Sequence, residues 1–104
     1  MRFRARVDRN QKELVRAIRD MGASAESLAR LGDGFPDLLV GISDQVMVLA
    51  EIKSEKGKLT PTQVKWRDRW RGPAPYIVRS IDDAVVLVNN LRDYAGLPYF
   101  VRVH

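Results

Sequence analysis

Asp37-Leu38-Leu39-Val40-Gly41-Ile42-Ser43-Asp44-Gln45-Val46-Met47-Val48-Leu49-Ala50-Glu51-Ile52-Lys53 is the stretch that decides the fold. Two short apolar runs, Leu38 to Ile42 and Val46 to Ala50, flank the polar triplet Ser43, Asp44 and Gln45. Continuous apolar runs of this length mark buried strands, and the triplet marks a turn, so the pair reads as a β-hairpin through the centre of the chain. With a three-residue loop Ile42 faces Val46, and counting outward sets Asp37 directly opposite Glu51. Carboxylates so placed have Cβ atoms about 4.5–5.5 Å apart and repel unless something positive lies between them. Lys53 follows Glu51 by two and projects from the same strand face. That face, Met47, Leu49, Glu51 and Lys53, is expected to be a core face that turns charged at its end. A two-residue loop would slip the register by one and send Asp37 to the other face.

Two converging carboxylates beside an ammonium suit metal-dependent phosphodiester chemistry. They can hold Mg²⁺, which takes its remaining ligands from water and phosphate oxygens. The metal activates a water and offsets charge developing on the phosphate, while Lys53 orients that water or helps deprotonate it. The competing reading is a strand leaving the core, with Glu51 and Lys53 as a weak exposed ion pair. The hairpin alone leaves both open.

On the N-terminal side, Arg2, Arg4 and Arg6 alternate with Phe3, Ala5 and Val7, a period of two that predicts a short strand or extended arm. From Asn10 the period becomes helical, with Leu14, Ile18 and Met21 on one stripe and Gly22 as the stop. Ala25 to Leu31 suits either a strand or a helical turn, and a strand is expected. Gly32-Asp33-Gly34-Phe35-Pro36 is a loop by composition. Gly34 there suits a tight backbone approach.

On the C-terminal side, Lys53 to Lys58 is a polar loop. Thr60-Pro61-Thr62-Gln63 then opens a helix, with Thr60 as N-cap, Pro61 at the first helical position and Gln63 completing a capping box. This helix runs to about Arg71, before Gly72-Pro73. Tyr76 to Val78 is a strand, Ile81 to Leu91 a helix, and Tyr99 to Val103 a final strand. The order is helix, three strands, helix, strand, helix, around one mixed sheet, an α/β fold.

Composition narrows the chemistry. The chain has 104 residues, no Cys and one His, His104. That length suits one compact domain burying roughly two-thirds of its unfolded surface. Disulfides, thiolate nucleophiles, His-based triads and Cys- or His-rich zinc sites are excluded. A net charge of +5 favours an anionic partner such as nucleic acid. No apolar run approaches the ~20 residues of a membrane span, and the basic start leads into no apolar signal segment. A cytoplasmic protein without a membrane partner is expected.

Pro36-Asp37 followed by Glu51-Ile52-Lys53 resembles the PD-(D/E)xK nuclease superfamily. The longer strings Gly34-Phe35-Pro36-Asp37-Leu38-Leu39-Val40-Gly41, Leu49-Ala50-Glu51-Ile52-Lys53 and Leu59-Thr60-Pro61-Thr62-Gln63-Val64-Lys65-Trp66 resemble its VRR-NUC branch, over about residues 9–81. A bare D…ExK recurs by chance, and the extended flanks in order are what make the match specific. The resemblance implies a restriction-endonuclease-like fold with an α-β-β-β-α-β core, residues 1–104 forming a single nuclease domain. It implies Asp37 and Glu51 as ligands of Mg²⁺ or Mn²⁺, joined by the main-chain carbonyl of Ile52, with Lys53 beside the attacking water. Glu13 matches in position a helix-borne Glu that is a further metal or water ligand in such enzymes, against a surface residue paired with Arg9 or Arg16. Gln63 matches a Gln near the scissile phosphate, a role that competes with its capping box.

Lys56, Lys58, Lys65 and Arg67, with Arg69 and Arg71, surround the expected site in sequence and suit backbone-phosphate contacts, although solvated helix faces are the commoner reason for such runs. Trp66 and Trp70 are expected to pack rather than stack on bases. The sequence therefore reads as a metal-dependent DNA endonuclease. The resemblance extends this to branched or Holliday-junction-like DNA, a role in DNA repair and a homodimer. The alternatives are a non-catalytic DNA-binding module that has kept the fold, or an interaction protein. Both leave the opposed carboxylates unexplained.

Overall fold

The computed structural model describes residues 2–101, with side chains from residue 10 onward. Helix α1 spans Arg2–Asp20. It contains no Gly or Pro, and its stripe of Leu14, Ile18 and Met21 is buried. The opening alternation of Arg and apolar residues is therefore helix, not the expected strand. Six residues of period two cannot outweigh an uninterrupted helical segment that adding residues only propagates. The side chains of Phe3, Ala5 and Val7 lie outside those described.

The helix stops as expected at Gly22, whose φ of 91° suits a residue without Cβ. The Ala23 N–H donates to Ile18 O and the Gly22 N–H to Arg19 O, closing the last carbonyls in a Schellman motif. Strand β1 (Ser24–Ser27) follows. The strand expected through Leu31 ends early, because Ala29–Leu31 turns into a short 3-10 helix. The Ser27 hydroxyl accepts from the Ala29 N–H, and the Leu28 N–H donates to Asp37 O at 2.8 Å.

Strands β2 (Leu38–Ser43) and β3 (Val46–Ile52) form the hairpin. Its register pairs Leu38 with Ala50, Val40 with Val48 and Gly41 with Met47, as counted from the sequence. The turn differs. Ser43 faces Val46, so only Asp44 and Gln45 lie between the strands, and a bulge between Gly41 and Ser43 absorbs Ile42. The two-residue turn and the bulge cancel, and Asp37 keeps its place opposite Glu51, one step beyond the Leu38–Ala50 pair.

Helix α2 (Pro61–Arg69) then crosses over to β4 (Tyr76–Val78), and α3 (Ile81–Tyr94) completes the described elements. The sheet order is β1-β2-β3-β4, antiparallel except for the parallel β3–β4 pair. This is the expected mixed α/β sheet.

Leu38, Val40, Ala50, Ile52 and Val78 point to one face, where they meet Leu14 and Ile18 of α1 and Leu87, Val88 and Leu91 of α3. The Met47–Leu49–Glu51 face is the other one, and Met47 is 64% exposed. The expectation of a core face along those residues was one position out of phase. An apolar run with both parities filled does not say which parity meets the helices.

Tyr99 to Val101 is not strand. The Asn89 amide donates to Phe100 O and accepts from the Phe100 N–H, taking both groups a ladder would need. Phe100 thereby folds onto the core of its own chain. Residues 102–104 of the expected strand lie outside the described residues.

Candidate active site

The carboxylate pair sits where β2 begins and β3 ends, on the face away from α1 and α3. Asp37 is held by two bonds from opposite sides. Its carbonyl accepts from Leu28, and its Oδ2 accepts from the Ile52 N–H at 2.7 Å. Glu51 is fully buried. Neither of its carboxylate oxygens has a hydrogen-bond partner. The nearest cation is Arg67 of α2, whose Nη2 lies 3.6 Å from Oε2. At that distance the attraction is Coulombic rather than a hydrogen bond.

Both carboxyl groups titrate above their ordinary range. Burial raises Asp37 against the lowering effects of the Ile52 N–H and the Lys53 charge. Burial also raises Glu51, the Asp37 charge adds to the rise, and Arg67 and Lys53 oppose it. A buried acid that faces another carboxylate, as Glu51 faces Asp37, holds its proton more tightly than it would alone. Lys53, half-buried at the strand end, has its backbone fixed at both groups. Its N–H donates to Val78 O at 3.1 Å, and its carbonyl accepts from the Asn10 amide at 3.5 Å.

Asp37, Glu51, Lys53 and the Ile52 backbone thus come together as the sequence implied. Glu13 does not join them. It is exposed on α1 and makes no hydrogen bond or ion pair among the described residues. Asn10, one turn earlier, is the α1 residue whose described side chain reaches the site, at the Lys53 carbonyl. Among the described residues no group of three or more His, Asp or Glu side chains could hold a metal. The carboxylates stand as a pair.

Gln63 forms the capping box, its Oε1 accepting from Thr60 N–H at 2.8 Å and its own N–H donating to Thr60 Oγ1. That occupies the side chain expected near phosphate. The first turn of α2 is pinned by Gly34, where a Cβ would run into the Thr62 carbonyl. Trp66 is buried edge-on to Phe35 and stacked on Trp70 at 4.9 Å, the packing role expected.

Lys56, Lys58 and Lys65 are exposed. Arg67, expected among the phosphate-contacting cations, turns inward instead, its Nη2 also donating to Pro75 O at 2.8 Å. Arg79 was missed from sequence. Its Nη1 donates to Ser54 O at 2.7 Å and Gly57 O at 2.6 Å, fastening the loop that carries Lys56 and Lys58. An Arg between a strand and a Ser N-cap carries no signal of such a partner.

Comparison with known proteins bears on the fold. No family model matches the chain, and no curated protein does. A solved structure described as a VRR_NUC domain matches 79% of this chain and 92% of its own, with a TM-score of 0.65 and 29% sequence identity. The likeness supports membership of the VRR-NUC family and a restriction-endonuclease-like fold.

Proposed function

With a nuclease-fold domain of VRR-NUC type as the premise, we propose that the chain is a metal-dependent DNA endonuclease that hydrolyses phosphodiester bonds at Asp37 and Glu51. The carrying observation is Glu51, fully buried with two oxygens that no donor satisfies. Burying a carboxylate in that state is costly, and a fold with no use for it would lose it to any apolar residue of similar size. The donor set fits a hard divalent cation: Asp37, Glu51 and the Ile52 carbonyl would hold Mg²⁺ or Mn²⁺. When bound, the cation supplies Lewis-acid polarisation of the phosphoryl group and a more acidic water.

The protein's own residues do the positioning. The Ile52 N–H fixes Asp37 through Oδ2 and leaves Oδ1 for a ligand. Lys53 places a positive charge beside both carboxylates and is suited to hold the attacking water or the phosphate. Arg67 steadies Glu51 from the α2 side. Lys56, Lys58 and Lys65 offer a phosphate-contacting edge, and Arg79 fastens the loop that carries the first two. Gln63 and Glu13 have no part in this reading.

Branched DNA as substrate, a repair role, a cytoplasmic location and residues 1–104 acting as one homodimeric domain complete the proposal. Among the described residues no helix is long and apolar enough to cross a membrane. The test is incubation with linear, flapped, splayed and four-way DNA, with and without Mg²⁺ or Mn²⁺. Metal-dependent cleavage strongest on a branched form is expected. DNA binding with no cleavage under any metal would leave the non-catalytic module instead.

A further inference from the structure

The groove between α1 and the turn after β1 carries a second set of cations that the catalytic reading does not use. It has a volume of about 660 Å³ and its polar lining is Gln11, Lys12, Arg16, Arg19, Asp20 and Ser27. Lys12, Arg16 and Arg19 recur at i, i+4 and i+7, which puts them on one face of the helix. Arg19 is partly committed, donating from Nη2 to Ala25 O at 2.6 Å and so tying the helix to β1. Lys12 and Arg16 are exposed, and no carboxylate pairs with either among the described residues.

Both walls of this groove are tied to the backbone of the strand ends that carry the carboxylate pair, whose side chains lie on the opposite face of the sheet. On the helix side, Asn10, next to Gln11, donates to the Lys53 carbonyl at 3.5 Å. On the other side, Leu28 lies between Ser27 and Ala29, and its N–H donates to the Asp37 carbonyl at 2.8 Å. The groove therefore opens beside the same strand ends that carry Asp37 and Lys53. Two unpaired cations one helical turn apart, about 6 Å along the axis, match the spacing of neighbouring phosphates on a single strand.

We propose that this groove is a phosphate-backbone subsite that takes one DNA strand leading away from the scissile bond, with Lys12 and Arg16 as its contacts. The proposal rests on the nuclease reading, and it assigns to α1 a binding role separate from the Lys56, Lys58 and Lys65 edge. Ser27 and Gln11 supply uncharged donors on either wall, as backbone recognition commonly requires.

The test is fluorescence anisotropy with a labelled single-stranded oligonucleotide, in chelator so that no cleavage occurs, across a salt series. The wild-type chain is compared with Lys12→Ala, Arg16→Ala and the double variant. Neither side chain is bonded to anything among the described residues, so thermal unfolding of the variants should be unchanged. The double variant is expected to lose about tenfold in affinity at low salt. Its log–log salt slope should shrink by about 1.4, since each single-strand phosphate contact contributes about 0.7. Each single variant should carry about half of that, and Arg16→Lys should restore the Arg16 share. A double variant with wild-type affinity and slope overturns the groove while leaving the nuclease reading intact. Wild-type protein that binds no DNA at all overturns both.

Discussion

Glu51 concentrates the energetic tension of the molecule. Its carboxylate is out of water, without a hydrogen bond, and faces Asp37. Arg67 does most to offset this, so Arg67→Ala should destabilise the metal-free protein by roughly 1–3 kcal/mol by leaving a buried carboxylate without its nearest partner. Thermal unfolding checks it, and divalent cation should restore part of the loss. Asp37→Asn and Glu51→Gln should each abolish metal-dependent cleavage with the fold retained, read by circular dichroism beside the cleavage assay. Relieving opposed like charges is neutral or slightly stabilising, by up to about 1 kcal/mol. Lys53→Ala should slow cleavage severely while sparing Mn²⁺ affinity. A variant that mainly lost affinity would make Lys53 structural.

Among the elements, the hairpin was legible because its two apolar runs and polar turn admit few pairings. Its register survived a wrong turn length only because the bulge at Ile42 returned the residue the shorter turn removed. Gly41, where the bulge begins, is a composition signal for a bulge or close packing in the strand, but nothing in the sequence couples it to a two-residue turn. The face assignment failed for a different reason: Val46 to Ala50 is apolar at both parities, and only α1 and α3 decide which one is covered. Arg67 was misread because a cation on a helix looks the same in sequence whether it meets solvent or Glu51. Gly34 was legible, and its role can be checked. Gly34→Ala places a Cβ against the Thr62 backbone at a φ of 77°. It should cost roughly 1–3 kcal/mol and weaken cleavage by displacing the loop that ends in Asp37. Equal melting temperatures for variant and wild type would contradict that contact.

At the scale of the whole molecule, the carboxylate pair sets a pH dependence of unusual sign. Both folded-state pKa values are raised, so the native protein holds protons that the unfolded chain has released. The pair's contribution to stability is therefore fully present below the unfolded carboxylate values, and it is lost as pH rises through the raised folded ones. In chelator, Glu51→Gln should melt higher than wild type at neutral pH, and the gap should close on acidification through the carboxylate range. A gap that widened in acid would contradict the burial assigned to Glu51. The proposed dimer also belongs to this scale. Phe100 is committed to its own chain, which leaves exposed Tyr94, Leu97, Tyr99 and Val101 as the C-terminal surface available for pairing. Tyr94→Ser with Val101→Ser should weaken self-association at least severalfold by sedimentation.

The central claim is that Asp37 and Glu51 are a divalent-cation site, and calorimetric titration with Mn²⁺ tests it most directly. The account predicts saturable binding by the wild-type chain, stronger at pH 7 than at pH 5 because protons compete for the same oxygens, and lost in Glu51→Gln. Binding that is absent from the wild type, or unchanged in Glu51→Gln, would contradict it.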